Sequence, residues 1–306
     1  MNADRIYESV HDRYTAAARG VDQGYGRSVA KSFGYAEEEL AGVPKDANLG
    51  LGAIASLQEG ETVVDLGSGA GFDAFLAAGK VGPTGTVYGV DMNEDMVARA
   101  NKSRAETPHR DNVSFVRSRI TDVPLRSGVA DCVISNCVVN LVPAGEKQLA
   151  FDEMARLLKP GGRLAISDVL LKQPLPDSLR SCAALYTGCI AGAGRVADYE
   201  EYLRAAGFHD VLITDTNADL NVYLETDVDG TAKAASGQGT GSRCCGPVAA
   251  KDGTAASCPA GQGTGSCAGK NADGDSEDGG CGGCGGGRHG NLNKWAGSYK
   301  IFAVKA

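Results

Sequence analysis

No block of basic residues occurs in this chain, no apolar run approaches the ~18 residues of a membrane span, and no cysteine precedes position 132. Lysine and arginine number 30 against 38 acidic residues, and the net charge of −8 argues against nucleic acid as the main partner. The first twenty residues are polar and mixed in charge, so neither a secretory signal nor a membrane partner is expected, and the cytoplasm is the expected compartment. There, ten cysteines serve better as reduced thiols than as disulfides. The four histidines, at 11, 109, 209 and 289, are scattered and are assigned no role, so no general base stands out.

What is present is organised around Thr62-Val63-Val64-Asp65-Leu66-Gly67-Ser68-Gly69-Ala70-Gly71-Phe72-Asp73, which reads as a strand, a tight turn and a helix start. Glycine at alternate positions lets the backbone come close to a ligand, and the first N–H groups of the next helix point at it. The third glycine comes one residue early for the dinucleotide fingerprint, and no Lys-Ser/Thr follows as in a Walker loop. A second strand, Thr86-Val87-Tyr88-Gly89-Val90, runs into Asp91, the place for a carboxylate that accepts both hydroxyls of a ribose. A nucleoside cofactor is the expectation.

Strands expected at 62–66, 86–90, 113–117, 130–135 and 163–168 alternate with helices, among them 93–105 and 146–158. That alternation predicts an α/β fold with a parallel sheet covered on both faces. Residues 1–30 read as helix or cap and 33–44 as a short helix; further helices are expected at 176–191 and 198–206, and strands at 208–215 and 298–305. Between 229 and 290, 19 of 62 residues are glycine and Val248 is the only aliphatic or aromatic residue larger than alanine, so disorder is expected there.

Acid, any residue, Gly-x-Gly-x-Gly resembles motif I of the S-adenosylmethionine-dependent methyltransferases. Ile134-Ser135-Asn136-Cys137-Val138-Val139-Asn140-Leu141 closely resembles the arsenite methyltransferase family. The resemblance extends to Phe33–Gly52, to Val63–Asp91, to Lys159-Pro160-Gly161-Gly162 and to the helix bearing Cys182 through Gly192, nearly all of 30–215. It implies a Rossmann-like class I methyltransferase sheet at 61–172, a helical N-terminal lid at 1–60 and a C-terminal substrate-binding region at 173–228. A disordered Gly/Cys-rich insertion at 229–290 and a closing strand at 291–306 complete the expected organisation.

The same resemblance implies S-adenosyl-L-methionine held by Asp65, Gly67, Ser68, Gly69, Gly71, Asp91, Met92, Ile120 and Asn136. It implies Cys137 and Cys189 as ligands of trivalent arsenic, in a reaction of arsenic detoxification. Thiolates are the soft ligands a soft metalloid prefers. Arsenic keeps a lone pair that attacks the methyl group without losing a proton, which explains why no base is needed. Turnover implies an external thiol reductant, glutathione or thioredoxin. Cys132 reads instead as a buried, inert thiol inside a strand.

The chain departs from the family in two places. Gly50-Leu51-Gly52-Ala53-Ile54-Ala55 lacks the cysteine that relatives carry there, so a third thiol for arsenite, As(OH)3, has to come from elsewhere or the two-thiol substrate methylarsenite is preferred. Cys244-Cys245, resembling a pair near the C-terminus of many relatives, is one source that would capture arsenic and pass it inward. At the adenine edge the chain reads Ser118-Arg119-Ile120-Thr121-Asp122-Val123-Pro124 in place of Gly-Glu-Ile. Two competing readings stand beside this one: a diverged small-molecule methyltransferase, and a soft-metal-binding protein that uses the Cys-rich segment.

Overall fold

β-branched runs form strands wherever the sequence places them between glycine turns. β1 (Thr62–Leu66), β2 (Thr86–Asp91), β3 (Val113–Arg117), β4 (Ala130–Asn136) and β5 (Leu158–Leu171) are all parallel. The computed structural model of the protein describes residues 2–18, 57–107, 111–180, 185, 186, 189–221 and 291–306, which all belong to one compact unit. Helices α1 (Ala3–Ala18), α2 (Phe72–Val81), α3 (Glu94–Glu106), α4 (Lys147–Leu157) and α5 (Val196–Ala205) flank the strands, and β6 (Phe208–Asp215) and β7 (Ala296–Lys305) complete the sheet. The short helix expected at 33–44 and the glycine-rich stretch at 229–290 lie outside the described residues.

The seven strands run in the order β3-β2-β1-β4-β5-β7-β6, with β7 antiparallel to both its neighbours. A hairpin-like return places the last strand of the chain between β5 and β6, a position the sequence pattern leaves open. The order reverses between β1 and β4, whose carboxyl ends lie side by side with Leu66 opposite Ser135. Ligands of open α/β sheets bind at such a switch point.

Both faces of the sheet are covered, which is why β1 and β4 are almost wholly buried rather than alternating between buried and exposed. On one face Val64, Leu66 and Val133 pack with Phe151, Leu157 and Tyr199 of α4 and α5; on the other, Val63, Cys132 and Ile134 pack with Phe75 and Val81 of α2. Cys132 is fully buried, as expected, and burial pushes its thiol up to about 12.

Two expected elements differ in extent. β5 begins at Leu158, five residues before the expected start, because Lys159–Gly162 loops out as an irregularity inside the strand: Ala130 pairs with Leu158, but Cys132 pairs with Arg163. Gly161 takes a φ of 72° at that bend. The helix expected at 176–191 does not run through: a helical turn spans Asp177–Arg180, and by Cys189 the chain is in a turn with φ 65°.

Candidate active site

The carboxyl ends of β1, β2 and β4 gather a set of buried polar groups. After β1, Gly67 and Gly69 take φ values of 78° and 51°, and Gly71, at 93°, caps α2. These turns do different work. A Cβ on Gly67 would lie 2.0 Å from Val138 Cγ2, so this glycine is required by the protein's own packing, whereas a Cβ on Gly69 would meet nothing within 4 Å. Gly69 therefore faces open space, and its N–H donates to Asp91 Oδ2 at 2.9 Å. Asp91 Oδ1 accepts from Asn93 N at 2.8 Å, which fixes the carboxylate at the mouth of the site.

Asp65 is buried, and its Oδ2 has no hydrogen-bond partner; Ser68 Oγ and Asn136 Oδ1 are in the same position. Asn136 Nδ2 donates to Asp73 Oδ2. Burial, then repulsion from Asp73 and Asp91, raises the Asp65 carboxyl well above the usual range. Burial likewise raises Asp91, against the pull of the two N–H donors. Buried acceptors without donors beside clustered carboxylates suit a cationic, hydrogen-bond-donating ligand group.

Cys137 directly follows β4, and its N–H donates to Ser167 O at 2.9 Å, tying it to β5. It adopts φ 51°, a conformation unusual for a residue with a Cβ. Cys189, 52 residues on, also has positive φ, and its Sγ lies 2.7 Å from the Cys137 carbonyl oxygen. The two Sγ atoms and a carboxylate oxygen of Asp168 all lie within 4.8 Å of one another. Two strained backbones thus aim two sulfurs at one point. The interaction with Cys137, then burial, holds the Cys189 thiol well above its ordinary range.

A buried polar frame supports this group. Asn140 Nδ2 donates to Asp168 Oδ1 at 2.7 Å, to Val169 O at 2.6 Å and to Cys189 O at 3.2 Å. The Tyr199 hydroxyl lies 3.0 Å from Asn140 Oδ1 and 3.1 Å from Asp168 Oδ2. Buried Lys147 donates to Val139 O at 2.7 Å; desolvation lowers its ammonium to about 8, opposed by attraction to Asp168. Over the thiols lies α1, whose Ile6 and Val10 pack with Leu141, Tyr186 and Cys189, and with Cys137 and Met92 at the edge.

Of the residues the sequence pointed to, Asp65, Gly67, Ser68, Gly69, Gly71, Asp91 and Asn136 gather at adjoining strand ends, and Met92 joins them to the thiols. Ile120 is buried in the core that includes Val90 and Leu66. Cys182, Cys244 and Cys245 lie outside the described residues. The sequence reading missed Asp73, Asn140, Lys147, Asp168 and Tyr199. Asp168 carried a usable signal, since it closes the strand expected at 163–168 much as Asp91 closes β2.

A methyltransferase-domain family model matches residues 57–207. The chain is 44% identical over 207 residues to the arsenite methyltransferase of Halobacterium salinarum, covering 66% of this chain and 52% of that protein. It is 42% identical over 168 residues to the arsenite methyltransferase of Aquipseudomonas alcaligenes, covering 53% and 48%. The chain thus spans about half the length of the curated relatives it matches. Among solved structures, an arsenic(III) S-adenosylmethionine methyltransferase from Chlamydomonas reinhardtii superposes with a TM-score of 0.57 at 24% identity, covering 88% of this chain and 73% of that one. That likeness shows the shared fold.

Proposed function

We propose that this chain, whose residues 57–207 match a methyltransferase-domain family model and which is similar to arsenite methyltransferases, methylates trivalent arsenic held by Cys137 and Cys189. The observation that carries the reading is the convergence of those two thiols, distant in sequence, to within 4.8 Å of each other beside the sheet's switch point. Arsenite, methylarsenite or both are the substrates. When bound, S-adenosylmethionine supplies an electrophilic methyl group on a sulfonium. Asp65, Ser68 and Asn136 would hold its methionine end with their orphaned atoms, Asp91 would accept from its ribose, and Met92 and Ile120 would contact the rest of the nucleoside.

The residues here do three things. Cys137 and Cys189 each exchange a proton for a bond to arsenic, and the released proton leaves with an arsenic hydroxyl as water. Asn140, itself held by Asp168 and Tyr199, fixes the Cys189 carbonyl, and Ser167 O fixes the Cys137 N–H. α1 roofs the thiols with apolar side chains and keeps bulk water away. The arsenic lone pair is the nucleophile, so no side chain has to remove a proton from it. A thiol reductant, glutathione or thioredoxin, restores trivalent arsenic after transfer. Among the described residues no helix is long and apolar enough to cross a membrane.

The test is mass-spectrometric detection of methylated arsenicals and S-adenosylhomocysteine from the full chain with arsenite and methylarsenite in parallel. Product is expected from the wild type and not from Cys137→Ser or Cys189→Ser. Undiminished product in either variant, or arsenic binding without formation of S-adenosylhomocysteine, sinks the reading.

A further inference from the structure

Arsenite forms three bonds, and the described residues bring only two thiols to one point. The third group within reach is a carboxylate. Asp168 is buried within β5, three residues before its end, and one of its oxygens lies within 4.8 Å of both sulfurs. Its acceptor capacity is not exhausted. A carboxylate has about four lone-pair positions. Asp168 Oδ1 receives Asn140 Nδ2 at 2.7 Å and Val169 N at 2.9 Å, while Oδ2 receives the Tyr199 hydroxyl at 3.1 Å. That leaves Oδ2 with room for a further donor.

We propose that Asp168 is the specificity-determining contact of this site, accepting a hydrogen bond from the single hydroxyl that arsenite keeps once Cys137 and Cys189 have bound it. The inference rests on the reading of the paired thiols as the arsenic site. The balance is simple: As(OH)3 and two thiols give a dithiolate hydroxide, (RS)2As–OH, and two waters. Methylarsenite, CH3As(OH)2, loses both hydroxyls to the same two thiols and has none left for Asp168. A chain lacking the lid cysteine can then hold arsenite through two sulfurs and one oxygen.

Asp168→Asn preserves the shape. Its carbonyl oxygen keeps the Asn140 and Val169 donors, and its amide faces Tyr199, whose hydroxyl can turn its proton to Asn140 Oδ1 at 3.0 Å. The amide presents N–H to the site instead of an acceptor. A hydrogen bond to a charged group contributes about 1.5–3 kcal/mol, so the arsenite Kd of the full chain is expected to rise about tenfold or more, with the methylarsenite Kd changed by less than about twofold. Equal changes in both, or none, overturn the proposal and leave Asp168 a positioning residue.

X-ray absorption at the arsenic edge of the wild-type chain loaded with one equivalent of arsenite decides independently of the variant's folding. Two sulfurs and one oxygen are expected; three sulfurs overturn the proposal while leaving the thiol site standing. Failure of the wild type to bind methylarsenite overturns the thiol site and this inference together.

Discussion

Single residues set the shape of the loop between β1 and α2, and two glycines there fail in different ways when given a side chain. At Gly67 a methyl group collides with Val138, the residue after Cys137, while the backbone sits at φ 78°. Overpacking and left-handed strain each cost of order 1–3 kcal/mol, so we expect Gly67→Ala to lower unfolding free energy by about 2–4 kcal/mol and to weaken arsenical binding by displacing Cys137. Gly69→Ala meets no atom and bears only the strain of φ 51°, about 1–2 kcal/mol; its main loss is cofactor affinity, because the added methyl enters the open space. Denaturant unfolding and S-adenosylmethionine titration of the two variants read out the contrast, and equal stability loss in both would refute it. The glycine pattern was plain in the sequence, but which glycine serves the ligand and which serves Val138 depends on a contact 71 positions away along the chain. Asp168 was legible by the rule that exposed Asp91, since each closes a strand expected from the sequence.

At the scale of elements, α1 is tied down by a few bonds whose partners are far apart in sequence. Asn93 serves twice: its Oδ1 caps α3 by accepting Met96 N at 3.1 Å, and its Nδ2 donates to His11 O at 3.1 Å and Thr15 Oγ1 at 2.8 Å in α1. The Tyr7 hydroxyl adds a 2.7 Å bond to Glu146, and Arg99 reaches Ala18 O. Asn93→Ser keeps a capping oxygen but is too short to reach α1. Two net hydrogen bonds of about 0.5–1.5 kcal/mol each are lost, so amide exchange in α1 is expected to quicken about tenfold with little change in global stability. Asn93→Ala loses the cap as well and costs about 1 kcal/mol more globally. Unchanged exchange in the serine variant would show that the apolar contacts of Ile6 and Val10 suffice to hold the roof. Strands β1 to β4 and β6 were readable almost to the residue from β-branched runs between turns. The break in 176–191 was not, because Gly188 is a weak local cue and the Cys189 carbonyl is held by Asn140, 49 residues away along the chain.

Across the whole molecule, a chain of net charge −8 stores part of its acid in the interior of its own site. Burial raises the carboxyls of Asp65, Asp91 and Asp168, the last to about 6. From about pH 4 to about 6 the folded chain therefore holds protons that the unfolded chain has lost, and its stability falls as the pH rises through that window. Ion pairs act with the opposite sign: Arg163 holds Glu61, and Arg195 holds Asp198, below the usual carboxylate range. Their contribution is present above about pH 4.5 and is lost as the pH falls through the depressed values. The ligand-free protein is thus expected to be most stable near pH 4–5. A cation placed among Asp65, Asp73 and Asp91 reverses the upper half of this dependence, since it binds better as each carboxyl ionises. S-adenosylmethionine carries an ammonium and a sulfonium, so its affinity should rise with pH as the raised carboxyls of Asp65 and Asp91 ionise. Asp65→Asn removes the carboxyl whose Oδ2 is unpartnered and should flatten the profile while lowering affinity at pH 7. Calorimetric titration at pH 5, 6 and 7 separates the cases: a flat wild-type profile means the cation is not met by this cluster, and an unchanged slope in the variant means that Asp91 is the group that titrates on binding.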